Sequence, residues 1–245
     1  MNNNIESLLA NVMIALADEF KDQIVLKGGM QLRLLNSPRS TQDIDYILCS
    51  RESKKLLIIK VRKALESITG IKIVSEKMNS RGIFLEILES KLQTKALIEI
   101  SVLPSTFLNP EPISTAALTN ELKMSPRIIT AMAIPEAFSH KIAATIERNV
   151  MRDLYDLSLY EPLGNFDETT LKTRLSKTSI ARAKPVTLNF LDGAKILSKK
   201  NQALTEESLQ IELYPLLPKS HQAGLLRPIQ ASVARIVQKM EGLNT

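Results

Sequence analysis

The sequence predicts an α+β fold, a mixed β-sheet flanked by helices, followed by an all-α C-terminal domain. Three observations predict it. Short β-branched or apolar runs bounded by Gly, Asn and Ser are confined to residues 23–103. Pro104, Pro110 and Pro112 then interrupt the chain. Beyond them, apolar residues recur mostly at helical spacing. The expected division is therefore 1–115 for the sheet-containing part and 116–245 for the helical part. A chain of 245 residues can bury one good core, or one core and a smaller helical layer.

Each element has its own reason. Ile5, Leu8, Leu9, Val12, Leu16 and Phe20 fall on one stripe of a helix over 5–20. Gln23–Lys27 is a short strand ending in a tight turn at Gly28-Gly29, and Met30–Leu35 is helical until Asn36-Ser37-Pro38 stops it. Asp43–Cys49 alternates and then turns apolar, as a central strand does. Ser53 caps a helix running towards Gly70. Ile71–Glu76 and Ile83–Leu88 flank Asn79-Ser80-Arg81-Gly82 as a hairpin, and Lys95–Leu103 is a further strand. Pro135-Glu136 starts a helix over Ala137–Arg148. Helical runs follow from near Val150 to before Pro162, then at Thr169–Leu175, Val186–Leu197 and Pro228–Met240.

Composition excludes several classes. Aromatics are 4% with no Trp, which argues against a site built on stacked aromatic platforms. The lone Cys49 excludes an internal disulfide framework and a cysteine-rich zinc site, and reads as a small hydrophobe. His140 and His221 are too few and too scattered for a zinc site. No basic patch precedes an apolar run at the N-terminus, and nowhere do eighteen apolar residues run unbroken. A cytoplasmic, soluble protein without a membrane partner is expected. The net charge of +6 favours polyanionic partners. Residues 171–200 hold eight Lys and Arg against one Asp, which is either an RNA-binding surface or a solvated helical face.

Three features carry chemistry. Lys27-Gly28-Gly29 lies between a strand and a helix, where glycines allow close approach of a phosphate, although Gly-Gly is also simply a turn. Asp43 and Asp45 in Arg39-Ser40-Thr41-Gln42-Asp43-Ile44-Asp45 project to the same face of a strand. Two carboxylates side by side repel, and a divalent cation, Mg²⁺ or Mn²⁺, relieves that cost. Glu99 is an isolated acid in the apolar run Ala96–Ile100, so it is expected to be buried and paired or metal-bound. Were its strand beside that of Asp43 and Asp45, the three would cradle two metals for an in-line displacement.

Gly28-Gly29, then Asp43-Ile44-Asp45 about fifteen residues on, then a later strand acid, resembles the polymerase-β-like nucleotidyltransferase superfamily. The stretch LKGGMQLRLL…RSTQDIDYIL resembles the AbiEii/AbiGii toxin family of toxin–antitoxin systems. Lys141 in Ser139–Ala144, and Arg152-Asp153-Leu154-Tyr155-Asp156-Leu157, resemble that family's later motifs. The likeness spans roughly residues 24–157 and departs at Met30, where relatives carry a small residue. It implies a nucleotidyltransferase fold that moves a nucleoside monophosphate from an NTP to a hydroxyl acceptor, with the tRNA 3′ end as the expected acceptor and a cognate antitoxin as a partner. It implies Asp43 and Asp45 as the metal pair, with Glu99 a positional candidate. Lys141 with Asp153 or Asp156 completes the catalytic set. Lys27, Gly28, Gly29, Arg39 and Thr41, then Lys141, Arg148 and Arg152, are the expected nucleotide contacts.

The later motif has two geometries. In one unbroken helix, Lys141, Arg148, Arg152 and Asp156 share a face within about 60° and Asp153 points away. A break near Asn149 changes this. Two rival functions stand beside the first: transfer to a small molecule or protein hydroxyl, and nucleotide or nucleic-acid binding without catalysis.

Overall fold

The computed structural model describes residues 3–91, 93–179 and 185–243. It divides into two compact units, Met1–Ala133 and Ile134–Thr245.

The first unit is built on a seven-stranded mixed sheet of order β3-β4-β5-β2-β1-β7-β6. In chain order its elements are α1 (Asn3–Phe20), β1 (Ile24–Lys27), α2 (Gly28–Leu34), β2 (Asp43–Cys49) and α3 (Lys54–Glu66). Then come β3 (Ile71–Met78), β4 (Ile83–Glu89), β5 (Thr94–Leu103), β6 (Glu111–Ser114), α4 (Ala116–Thr119) and β7 (Ile128–Ala131). β2 lies at the centre, antiparallel to β1 and parallel to β5. A parallel pair needs a long crossover, and α3 with the β3–β4 hairpin supplies it. Asn79 Oδ1 closes that hairpin by accepting from the amides of Arg81 (2.8 Å) and Gly82 (3.2 Å).

The period of two in β2 decides what faces what. Ile44, Tyr46 and Leu48 enter one apolar cluster with Leu9, Val12, Met13 and Leu16 of α1, and with Leu57, Val61 and Leu65 of α3. Each such side chain contributes about 1.5–3 kcal/mol on burial. Burial also pushes the Tyr46 phenol up, so it stays neutral. Asp43 and Asp45 point to the opposite face and are only partly buried.

α2 is pinned by polar contacts. Arg33 is 3% exposed and donates to Glu6 Oε1 on α1 (3.0 Å), to Glu121 Oε2 (2.5 Å) and to the Ser37 carbonyl (3.3 Å). Burial alone would lower the Arg33 pKa, but the two carboxylates outweigh it and hold the guanidinium charged. Gln31 Nε2 donates to the Met132 carbonyl at 2.6 Å, tying α2 to the end of β7. Asn36 takes a left-handed conformation (φ 66°) where the helix stops.

Two strands depart from the sequence expectation. β6 and β7 lie in the region expected to be linker and helix, and they carry the first unit past the expected boundary at 115 to Ala133. Both have only four residues, too few to show a period. β6 contains Pro112, which an edge strand tolerates because it need not donate on its outer side.

The second unit is helical: α5 (Ile134–Glu147), α6 (Arg152–Tyr160), α7 (Glu168–Leu175), α8 (Phe190–Ala203), α9 (Glu206–Glu212) and α10 (Leu226–Gly242). α10 packs on α6 and α8 and buries Ile229, Val233, Ile236 and Met240. Phe138 of α5 stacks on Tyr160 of α6 with centroids 5.8 Å apart and meets Phe166 edge-on at 6.0 Å. α8 starts at Phe190 rather than Val186, because Val186 bridges to Thr178. No helix among the described residues is long and apolar enough to cross a membrane.

Candidate active site

The carboxylate pair is held from both sides. Thr41, 4% exposed, donates its hydroxyl to Asp43 Oδ1 in a very short contact. Lys27 lies directly opposite Asp45 across the β1–β2 ladder, with its Nζ 3.6 Å from Asp45 Oδ1. The Gly-Gly turn is explained by the same pair. Gly28 has φ +73°, and a Cβ there would meet Asp45 Oδ2 at 2.5 Å. A Cβ on Gly29 would meet Arg39 Nη2 at 2.9 Å and Thr41 Oγ1 at 3.0 Å. Only glycine lets the backbone come this close to the acids and to Arg39, itself 8% exposed.

Glu99 stands beside Asp45 in the parallel β2–β5 register, and Phe84 of β4 stands beside Glu99. The register therefore puts the three acids on one face. The expectation that Glu99 is buried is overturned, because it lies on the exposed side of β5. Ala96, Ile98 and Ile100 fill the core side, while Leu97, 50% exposed, makes the outer side look apolar in sequence. Among the described residues, no three His, Cys, Asp or Glu side chains converge as a ready cluster for a metal ion. The donor chemistry suits a divalent cation as an Asp pair, two oxygen-bearing side chains on one strand face. One surface cleft of this unit lies away from the acids, lined by Asp22, Glu111 and Ile128–Thr130.

In the second unit the helix does break, and α5 and α6 are separated by residues 148–151. Partners from later helices satisfy the exposed ends. Lys200 Nζ of α8 donates to the Arg148 carbonyl at 2.6 Å, and Glu212 Oε2 of α9 accepts from the Met151 amide at 2.8 Å. The single-helix geometry, with Asp153 turned away, is thereby excluded. Lys141 Nζ reaches Asp156 Oδ2 at 2.7 Å and Asp153 Oδ1 at 3.4 Å. Arg148 Nε donates to Asp153 Oδ2 at 2.7 Å, and Arg148 Nη2 to Asp153 Oδ1 at 3.1 Å. Both aspartates are buried, the Lys141 side chain is 10% exposed, and that of Arg148 is 53% exposed. Arg152 is exposed and lies outside this cluster of contacts.

Lys200 was not singled out by the sequence, since it was one cation among eight in the basic segment. Burial lowers its pKa, and the nearby Asp153 opposes that. In the same segment Lys172, Lys177, Lys195 and Lys199 are exposed, while Arg174 lies 3.5 Å from Glu147. Residues 180–184, including Arg182 and Lys184, lie outside the described residues.

A mixed sheet with an Asp-x-Asp pair on its central strand, behind a Gly-Gly turn, is the arrangement that the resemblance to nucleotidyltransferases implies. The family described as nucleotidyl transferase AbiEii toxin, type IV toxin–antitoxin system, matches residues 12–232, and the chain belongs to that family. Solved structures agree with the fold. MenT4, a nucleotidyltransferase toxin from Mycobacterium tuberculosis H37Rv, superposes with a TM-score of 0.67 at 17% identity, covering 97% of this chain and 82% of that one. JHP933 from Helicobacter pylori superposes with a TM-score of 0.57 at 19% identity, covering 97% and 90%. No curated protein matches the chain by sequence.

Proposed function

We propose that this nucleotidyltransferase moves a nucleoside monophosphate from an NTP to the 3′-terminal hydroxyl of tRNA, in a reaction that depends on Mg²⁺ or Mn²⁺. The observation that carries the proposal is the face shared by Asp43 and Asp45 on β2, packed against a turn that only glycine can form. In the reaction the acceptor oxygen bonds to the α-phosphorus, the bond to the bridging oxygen of the β-phosphate breaks, and pyrophosphate leaves. Asp43 and Asp45 would hold a divalent cation, which would supply neutralisation of phosphate charge. Thr41 keeps Asp43 oriented. Arg39 and Lys27 offer positive charge beside the glycine turn, and Glu99, the candidate third acid, would accept the acceptor's proton.

In the second unit, the half-exposed guanidinium of Arg148 is suited to phosphate, as is the exposed Arg152. Asp153 and Asp156 hold Lys141 in place. Lys172, Lys177, Lys195 and Lys199 are candidates for contact with the RNA backbone. Family membership also points to a cognate antitoxin as the cellular counterpart.

The test is incubation with each NTP, radiolabelled at the α-phosphate, in the presence of Mg²⁺ and total cellular RNA, beside an Asp43→Asn control. Label in a tRNA-sized band, absent in the control, supports the reading. Label in protein or in small molecules moves the acceptor elsewhere. No label in any fraction, with nucleotide binding retained in both proteins, overturns catalysis.

A further inference from the structure

The two aspartates are held by unlike partners, and the difference has a functional consequence. Asp43 receives a neutral hydroxyl from Thr41. Asp45 faces a full positive charge, the Lys27 ammonium at 3.6 Å, with both side chains about a quarter exposed at 26% and 23%. That separation is long for a hydrogen bond, so the contact is an ion pair that a competitor can displace. The other oxygen of Asp45 is turned towards Gly28, where a Cβ would come within 2.5 Å of it. A cation bound by the aspartate pair must therefore take the oxygen that Lys27 neutralises, or accept a positive neighbour beside it.

We propose that Lys27 is a built-in counter-ion of the acid pair: it holds Asp45 ready, competes with the divalent cation for it, and turns to the triphosphate once the cation is bound. This rests on the reading of Asp43 and Asp45 as the cation pair. Lys27 acts on the cation through Asp45 and so is a positioning residue. Its consequence is a site that takes cation and NTP together better than it takes either alone. A divalent cation without nucleotide is repelled by the ammonium. With nucleotide present, the phosphates give that ammonium a new partner.

The test is the affinity of the full-length, nucleotide-free protein for Mn²⁺, followed by the electron paramagnetic resonance of free Mn²⁺. Wild type is compared with Lys27→Met, Lys27→Arg and the double variant Asp43→Asn with Asp45→Asn. Lys27→Met is expected to bind Mn²⁺ about two- to fivefold more tightly, the size of a partly exposed ion pair. Lys27→Arg should stay near wild type. With a non-hydrolysable NTP analogue present the order should reverse, Lys27→Met binding the Mn²⁺–analogue complex more weakly than wild type. Loss of a structural contact would not tighten binding. Unchanged or weaker Mn²⁺ binding by Lys27→Met, with the dependence on the aspartates intact, overturns the counter-ion role alone. Mn²⁺ binding that survives in the double aspartate variant overturns it together with the cation-pair reading.

Discussion

Lys141 on α5 and Asp156 on α6 lie fifteen positions apart in sequence, and their side chains meet at 2.7 Å. Asp153 comes within 3.4 Å of the same ammonium because the chain breaks at residues 148–151 and folds α6 back towards α5. Of the two geometries open to this motif the broken one holds, and it makes a buried knot, one lysine between two carboxylates, with Arg148 as its outward-facing cation.

Removing Asp156 from that knot leaves the buried Lys141 ammonium with Asp153 alone, a carboxylate that Arg148 already shares. Asp156→Ala is expected to cost about 1–3 kcal/mol in urea unfolding. Replacing both members, Lys141→Met with Asp156→Leu, should cost less than the single change, since no unpaired charge remains. A double variant as unstable as the sum of its parts would show that the two residues act separately.

Asp43→Asn should lower the rate of nucleotidyl transfer by at least about a hundredfold, the scale of several kcal/mol of lost charge stabilisation. Thr41→Val removes only the hydroxyl that orients Asp43, so a loss of about tenfold is expected, the size of one hydrogen bond to a charged group. The ranking of the two variants in a single-turnover assay is the check. A Thr41→Val protein as inactive as Asp43→Asn would give Thr41 a larger part than orientation.

Gly28→Ala places a methyl group against Asp45 and forces a left-handed conformation on a residue with a Cβ. The strain should cost about 1–3 kcal/mol in stability, and displacement of Asp45 should weaken Mn²⁺ binding as well. Stability and Mn²⁺ affinity measured on the same preparation separate strain in the backbone from displacement of the acid.

The Arg235 guanidinium hydrogen-bonds Glu161 and, against the effect of burial, holds its carboxyl below the usual carboxylate range. A depressed folded-state pKa gives stability that is fully present above the unfolded value and lost as the pH falls through the folded one. The difference in melting temperature between wild type and Glu161→Gln should thus be constant near neutrality. It should shrink as the pH falls through and below the ordinary carboxylate range. A difference that grew in acid would mean the pair is repulsive.

Much of the first unit was legible because its periods are long and clean. α1 declares itself through Leu8, Leu9, Val12 and Leu16, and β2 through the alternation of Asp43 to Tyr46. Spacing singled out both glycines of the turn and both aspartates, and the resemblance to the AbiEii family supplied their expected roles. β6 and β7 did not, since four residues carry no period and Pro112 reads as a break. Glu99 was misplaced because Leu97 occupies the solvent side of β5 and hides its alternation. Nothing in the sequence marks Glu6, and only the fold reveals that it is 1% exposed and paired with Arg33. Lys200 needed a contact with the Arg148 carbonyl, 52 positions away, that no local pattern encodes.

The alternation of β2 also predicts how the growth inhibition expected of a member of this toxin family would be lost in a genetic screen. Survivors changed at Asp43 or Asp45 should accumulate as abundant, well-behaved but harmless protein, because those side chains leave the core untouched. Survivors changed at Ile44, Tyr46 or Leu48 should instead vanish from the soluble fraction, since each is at most 2% exposed. One strand of seven residues thus holds two separable ways of disarming the protein, interleaved position by position.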